Sequence, residues 1–138
     1  MVGIVVVSHS ERAAEGIAEI AAEMAGDTRI EPVGGDGKGG IGTVPDAIED
    51  AIDAAAGGSG DGADGSDGDA DGVVVLVDLG SAVMNADVAV ELSDAEAVIA
   101  DAPVLEGAVN AAVAATDPSA TIESVREQAE AARDIEKL

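Results

Sequence analysis

Three short segments of this chain carry residues that together could support nucleophilic chemistry on an imidazole. His9, the only histidine, directly follows an apolar run. Asp78 ends a second apolar run and Gly80-Ser81 come after it, while Gly42-Thr43 close a glycine-rich stretch. A histidine changes charge near neutral pH, and its two ring nitrogens can play different roles. If the segments meet, a carboxylate could accept one ring N–H and leave the other nitrogen free as a nucleophile.

Each of these residues also has a structural interpretation. His9 could be a surface or helix-capping histidine, and Asp78 and Ser81 could both cap the helix that follows them. The glycine-rich stretch contains Lys38, which could be solvated, and it lacks the G-K-[ST] ending of a nucleotide-binding P-loop. Without a P-loop, the remaining interpretation is a site where amides and hydroxyls near helix starts bind an anion, with Gly42, Thr43, Gly80 and Ser81 as the donors.

Alternating strand and helix patterns predict how the segments come together. Continuous apolar runs are typical of strands buried on both faces of a parallel sheet. Strands are predicted at Val2–Val7, Arg29–Val33, Val73–Asp78 and Ala95–Ala100. The pattern predicts an α/β fold with a mainly parallel central sheet and helices on both faces. The carboxyl edge of such a sheet is where ligands bind.

Capping and proline signals place the helices between these strands. The first is predicted to start at Ser8 or Ser10, with a Ser8-x-x-Glu11 capping box. Helical spacing predicts further helices from Thr43, over Ala82–Leu92, from Pro103 to Ala115, and from an Asp117-Pro118 start to the end.

Length favours a single domain over 1–138, interrupted by one acidic tract. Residues 53–72 are all Gly, Asp, Ala or Ser, which predicts a flexible, self-repelling loop. The spacing of its acidic residues does not fit a calcium-binding loop. The chain has no cysteine, so thiolate metal sites and disulfides are excluded, and we expect no metal and no cofactor.

Charge limits the partners. Six Lys and Arg residues against 29 Asp and Glu give a net charge of −23, which would repel nucleic acid.

No apolar stretch approaches the roughly 20 residues of a membrane span, and no signal peptide is visible, so a cytoplasmic protein is expected. Periodic apolar segments argue against a disordered acidic protein. We interpret the composition as adaptation to molar salt, where the Debye length is about 3 Å, in an archaeal halophile.

Four motifs in order resemble one family. They are Val7-Ser-His-Ser10, Gly40-Ile-Gly-Thr43, Val77-Asp-Leu-Gly-Ser-Ala82 with Met84-Asn-Ala86, and Ala102-Pro-Val-Leu-Glu-Gly-Ala108. Together they resemble the DhaM family, the phosphocarrier subunits of phosphoenolpyruvate-dependent dihydroxyacetone kinase, related to mannose-type IIA proteins of the sugar phosphotransferase system. The resemblance covers nearly the whole chain except the acidic tract. Val44 departs from the serine that many members carry.

The resemblance implies roles and partners. His9 would accept a phosphoryl group from phospho-HPr and pass it to ADP held on DhaL, whose ATP then serves dihydroxyacetone bound to DhaK. Asp78 would orient the imidazole, and the chain would form a homodimer. Some members contain fused HPr and enzyme I domains, which this chain is too short to hold, so a separate donor is expected.

Two other functions stay open. A mannose-type sugar IIA protein would hand the phosphoryl group to a IIB subunit. A regulatory module would sense an anion at the same edge without covalent chemistry.

Overall fold

The structure, a computed structural model, describes residues 1–57 and 71–138, in which four parallel strands form one sheet. The strands are β1 (Gly3–Ser8), β2 (Ile30–Gly34), β3 (Val73–Val77) and β4 (Ala97–Ile99). Their order across the sheet is β2-β1-β3-β4, and each neighbouring pair is parallel. The predicted parallel α/β sheet is therefore confirmed.

Helices cover both faces of the sheet, as predicted. They are α1 (Glu11–Ala22), α2 (Pro45–Ala55), α3 (Ser81–Leu92), α4 (Val104–Ala115) and α5 (Ile122–Glu130), followed by a 3₁₀ turn at Ala131–Asp134. Side chains of β1 alternate between the two faces. Ile4 and Val6 pack with α1, α4 and α5, whereas Val5 and Val7 pack with α2 and α3. The central strand is thus anchored in two apolar layers built without any aromatic residue.

The structure decides between the two predicted caps of the first helix and corrects the start of the last. Ser10, one of the two predicted caps, caps α1, because its side chain accepts the Ala13 N–H at 3.2 Å. The predicted capping box at Ser8 is wrong, and so is the predicted Asp117-Pro118 start of the last helix. The last helix starts at Ile122, where Thr121 and Ser124 form a reciprocal capping box. Asp117 instead accepts the backbone N–H of Ser119 at 2.9 Å, which closes a local turn. This competing hydrogen bond is typical of aspartate outside helices.

The start of the acidic tract was also misplaced. Helix α2 continues through Asp53 to Ala55, and the Asp53 carboxylate accepts the Ser93 hydroxyl at 2.6 Å. Part of the predicted loop is therefore helix. Residues 58–70, which make up most of the predicted loop, lie outside the described residues. In the parts of the chain that are described, no helix has the length and apolar character needed to cross a membrane.

Candidate active site

The strand register brings the first and third chemical segments together. Val7 of β1 lies opposite Val77 of β3, and the ladder continues with the Asp78 N–H donating to the Val7 carbonyl at 3.0 Å. From β1 the chain passes to β2 on one side of that strand, and it then returns to β3 on the other side, so the strand order reverses at β1. Ligands in open α/β sheets bind where the order reverses in this way, outside the carboxyl ends of the strands. His9 and Asp78 both lie at that crevice.

Asp78 is the centre of the site. Its Oδ1 lies 2.9 Å from Nδ1 of His9, and its Oδ2 accepts the His9 backbone N–H at 3.0 Å. The Ser8 hydroxyl donates to the same Oδ2 at 2.9 Å. An ionised carboxylate only accepts hydrogen bonds, so the Nδ1 atom facing it must carry a proton. The two residues predicted to lie together are thus in contact, and this geometry favours the tautomer with its proton on Nδ1; that Asp78 orients His9 for catalysis stays a prediction.

The same contacts keep Asp78 ionised. Partial burial alone would raise the pKa of Asp78. The His9 backbone N–H, the His9 ring and the Ser8 hydroxyl outweigh that effect, and the pKa of Asp78 lies below its ordinary value. Hydrogen bonds that stabilise the charged form of a carboxyl lower its pKa in this way. At neutral pH Asp78 is thus a fixed negative charge against Nδ1.

The second ring nitrogen of His9 faces Ser81. The Ser81 Oγ lies 2.9 Å from Nε2, at the start of α3. With the proton on Nδ1, Nε2 has a free lone pair and Ser81 donates to it. Side chains of His9 and Asp78 are 20% and 19% exposed, so the ring is held by the protein but can still be reached from solvent.

The glycine-rich stretch reaches the site through its last residues. The Gly42 N–H donates to the His9 carbonyl at 2.8 Å, which ties the stretch to the end of β1. Gly42 has a φ of +152°, a backbone conformation that side-chain-bearing residues rarely adopt. This N–H is already occupied, so Gly42 positions His9, and its contact with a phosphoryl group stays a prediction. Thr43 accepts a hydrogen bond from Asn85 through its Oγ1 at 2.7 Å.

Gly80 precedes Ser81 and is exposed. No other group of the described residues comes within 4 Å of the position that a side chain would occupy there. Contact of Gly80 with a phosphoryl group stays a prediction. All three segments singled out from the sequence thus converge at one edge of the sheet.

Sequence reasoning missed two residues of this arrangement. Ser8 was considered only as a helix cap, yet its hydroxyl bonds to Asp78. Asn85 was quoted within a motif without a role, yet it contacts Thr43. Its spacing offered a signal, since residues four apart on a helix share a face and Asn85 lies four positions after Ser81.

Comparisons with known proteins identify the family of this chain. Residues 3–126 match the family described as "PTS system fructose IIA component". The DhaM phosphotransferase subunit of the PTS-dependent dihydroxyacetone kinase of Lactococcus lactis is 36% identical over 93% of this chain and 93% of its own length. A phosphoryl donor subunit DhaM of Listeria innocua is 38% identical over 77% of this chain and 75% of its own length.

The fold has a solved counterpart as well. A crystal structure of a protein of unknown function superposes with a TM-score of 0.73 and 27% sequence identity, covering 94% of this chain and 92% of the other. The family match extends from the first residue of β1 into α5 and so includes all three segments of the site. This chain therefore belongs to the family of IIA components of the phosphotransferase system.

Proposed function

We propose that this chain is a phosphohistidine carrier for a dihydroxyacetone kinase. His9 accepts a phosphoryl group from phospho-HPr and passes it to ADP bound on DhaL, and the ATP formed phosphorylates dihydroxyacetone on DhaK. The observation that carries the proposal is the His9 ring itself, with Nδ1 held by Asp78 and Nε2 reachable beside Ser81. Relatives whose names describe DhaM subunits of dihydroxyacetone kinases support the choice of acceptor.

Nε2 is the nucleophile in this proposal. Nδ1 carries a proton and donates a hydrogen bond to Asp78, so in the neutral ring only Nε2 offers a lone pair. The lone pair attacks phosphorus in line, the N–P bond forms, and the bond from phosphorus to the donor breaks with its electron pair left on the donor. The ring becomes positively charged, and the adjacent Asp78 carboxylate stabilises that charge. Catalysis is then largely positioning and preorganised electrostatics.

Ser81 changes partner during transfer. Its hydroxyl donates to Nε2 in the resting state, but phosphorylated Nε2 has no lone pair left to accept it. The hydroxyl is then available to a phosphoryl oxygen, as are the exposed backbone at Gly80 and the hydroxyl of Thr43. Transfer to ADP reverses these steps, with a β-phosphate oxygen as the attacking atom.

An apolar rim around this edge supports docking of HPr and DhaL. Ile41, Leu79 and Met84 are 73%, 58% and 77% exposed. Ile41 precedes Gly42, while Leu79 and Met84 flank Ser81. Val44 and Val83, which are close to these residues in the sequence, are half-buried. Clustered exposed apolar side chains mark protein interaction sites. A cytoplasmic location is also part of the proposal, because a carrier that exchanges phosphoryl groups with HPr and ADP must share their compartment.

A homodimer stays part of the proposal. Val88 and Leu92, one and two turns beyond Met84 on α3, are 43% and 54% exposed. They extend an apolar stripe away from the site, which supports a contact with a second copy of the chain. Sedimentation velocity in molar KCl distinguishes a dimer from a monomer, and a monomer at micromolar concentration would contradict this part.

The test is reconstitution of the phosphoryl relay. The chain is incubated with phosphoenolpyruvate, enzyme I and HPr in molar KCl and followed by intact-mass measurement and peptide mapping. We expect one acid-labile phosphoryl group on the peptide that contains His9, and none on His9→Ala. Discharge that requires DhaL and ADP supports the kinase, whereas discharge by a IIB subunit indicates a sugar-transporting IIA protein. An anion-sensing module would acquire no phosphoryl group at all.

A further inference from the structure

A hydrogen-bonded pair connects α3 to the glycine-rich stretch beside His9. Asn85 directs its side-chain nitrogen at Thr43, with 2.7 Å to Oγ1 and 3.3 Å to the backbone carbonyl oxygen. Both contacts are partly buried. Neither residue is needed to fix the His9 tautomer, which Asp78 already controls, so the pair calls for a separate explanation.

The two contacts together determine which group donates. A backbone carbonyl oxygen can only accept, so the side-chain atom of Asn85 that faces it must belong to the NH₂ group. The same nitrogen therefore donates to Oγ1 of Thr43. A hydroxyl has a single hydrogen, and that of Thr43 must point elsewhere. Among the described residues none accepts it.

The place of this hydrogen follows from neighbouring contacts. Thr43 comes directly after Gly42, whose N–H is bonded to the His9 carbonyl at 2.8 Å. Asn85 lies four residues after Ser81, and residues four apart on a helix are neighbours on one face, about 5–6 Å apart between Cβ atoms. Ser81 itself contacts Nε2 at 2.9 Å. The Thr43 hydroxyl is therefore bonded to the same face of α3 that carries Ser81, the residue in contact with Nε2.

We propose that Asn85 is a positioning residue that keeps the Thr43 hydroxyl poised as a donor to the phosphoryl group on Nε2. This inference rests on the proposed function. Asn85 touches no reacting atom and forms or breaks no covalent bond. It occupies one lone pair of Thr43 Oγ1, so the hydroxyl hydrogen is directed at the incoming anion before that anion arrives. Such preorganised donors lower a barrier because no reorientation is needed during transfer.

A double-mutant cycle separates this role from simple anchoring of the stretch. The variants are Thr43→Val, Thr43→Ser, Asn85→Ala and the double variant Thr43→Val with Asn85→Ala. Thr43→Val keeps the side-chain shape and the carbonyl that Asn85 also contacts, but removes the hydroxyl. We measure kcat and KM for transfer from phospho-HPr in molar KCl, with thermal unfolding by far-UV circular dichroism as the structural control.

Thr43→Val should lower kcat about tenfold to a hundredfold with little change in KM, the size expected for one hydrogen bond to a charged group. Thr43→Ser keeps the hydroxyl and should stay within about threefold of the parent. Asn85→Ala should slow transfer about three- to tenfold, since the freed hydroxyl can still rotate toward the anion. In the Thr43→Val background the Asn85→Ala effect should disappear, because Asn85 has no hydroxyl left to act through.

Two results would overturn the inference. If Asn85→Ala slowed transfer equally in both backgrounds, the amide would only anchor the stretch through the Thr43 carbonyl. If Thr43→Val transferred at the parent rate, the hydroxyl would not touch the phosphoryl group. Failure of the proposed function is a different outcome, because the parent chain would then acquire no phosphoryl group on His9.

Discussion

Replacing Asp78 by asparagine should turn the His9 ring into its unreactive tautomer while keeping its shape. In one amide orientation, the oxygen accepts from the His9 backbone N–H and the Ser8 hydroxyl, as Oδ2 of Asp78 does now. The NH₂ group then faces Nδ1 and donates to it, which moves the ring proton to Nε2. In the other orientation the tautomer is preserved, but an NH₂ group confronts the His9 backbone N–H. Asparagine thus favours the orientation that removes the nucleophile.

The size of the effect follows from these contacts. Keeping the reactive tautomer leaves the His9 backbone donor unpaired in a partly buried site, at a cost of about 1–3 kcal/mol. A neutral amide also stabilises the charged ring less than a carboxylate, by about 1 kcal/mol, since charge-assisted hydrogen bonds are roughly twice as strong as neutral ones. A total of about 2–4 kcal/mol corresponds to transfer slowed about 30-fold to 1,000-fold.

Two measurements check this prediction. Rapid-quench kinetics of phosphorylation by phospho-HPr give the rate, and ¹⁵N chemical shifts of the imidazole report the tautomer without interference, since the chain has one histidine. Asp87→Asn is the matched control, because it removes the same charge from an exposed position on α3. A rate within threefold of the parent, or ring nitrogens that still show the proton on Nδ1, would refute the reasoning.

Three further outcomes follow from the site and the chain around it. Met84→Asp should weaken transfer in molar KCl by raising KM for HPr without changing thermal unfolding, because a 77% exposed side chain contributes little to the core; an unchanged KM would place docking elsewhere. Replacing residues 58–70 by a short turn should preserve transfer, since their composition offers almost no apolar surface and each doubling of loop length costs only about 0.6 kcal/mol; loss of transfer with the fold intact would assign a partner to them. Because the pKa of Asp78 is lowered in the folded chain, its contribution to stability is complete above its unfolded pKa of about 3.9 and is lost as pH falls through the lower folded value. Acid titration should therefore show the stability of Asp78→Asn falling less steeply than that of the parent below about pH 4, and equally steep loss there would contradict the assignment.

The fold could be predicted because its strands have apolar runs that are easy to recognise in the sequence. Continuous runs such as Val73–Val77 are apolar on both sides of the chain, and only a sheet covered on both faces can bury them. Helix boundaries were less predictable, because a short polar side chain has several uses. Ser8 and Asp117 both fit a capping pattern locally, but Ser8 bonds to a carboxylate 70 positions away and Asp117 to its own turn. Such competition is settled by tertiary structure.

Some contacts of the site could also be predicted from the sequence, whereas others could not. Once the strands were taken as parallel neighbours, the ends carrying His9 and Asp78 had to meet, so their contact could be expected. The finer assignments depend on register. The register places Val7 opposite Val77, and the hydrogen bonds that follow bring one carboxylate oxygen of Asp78 to Nδ1 and the other to Ser8 and the His9 backbone. The Gly42 N–H likewise had no predictable partner until the glycine-rich stretch was placed against His9.

A phosphoryl carrier with an acidic residue in its site has to reconcile two opposite demands. In the proposed function, the charge on Asp78 would stabilise a phosphorylated, cationic ring but would repel the phosphoryl group itself. The geometry meets both demands, because the carboxylate lies against Nδ1 while Nε2 faces Ser81 across the ring. The imidazole thus stands between the carboxylate and the incoming anion. Three donors hold the carboxylate in that place, so the residue proposed to activate the ring is kept away from the group that the ring would carry.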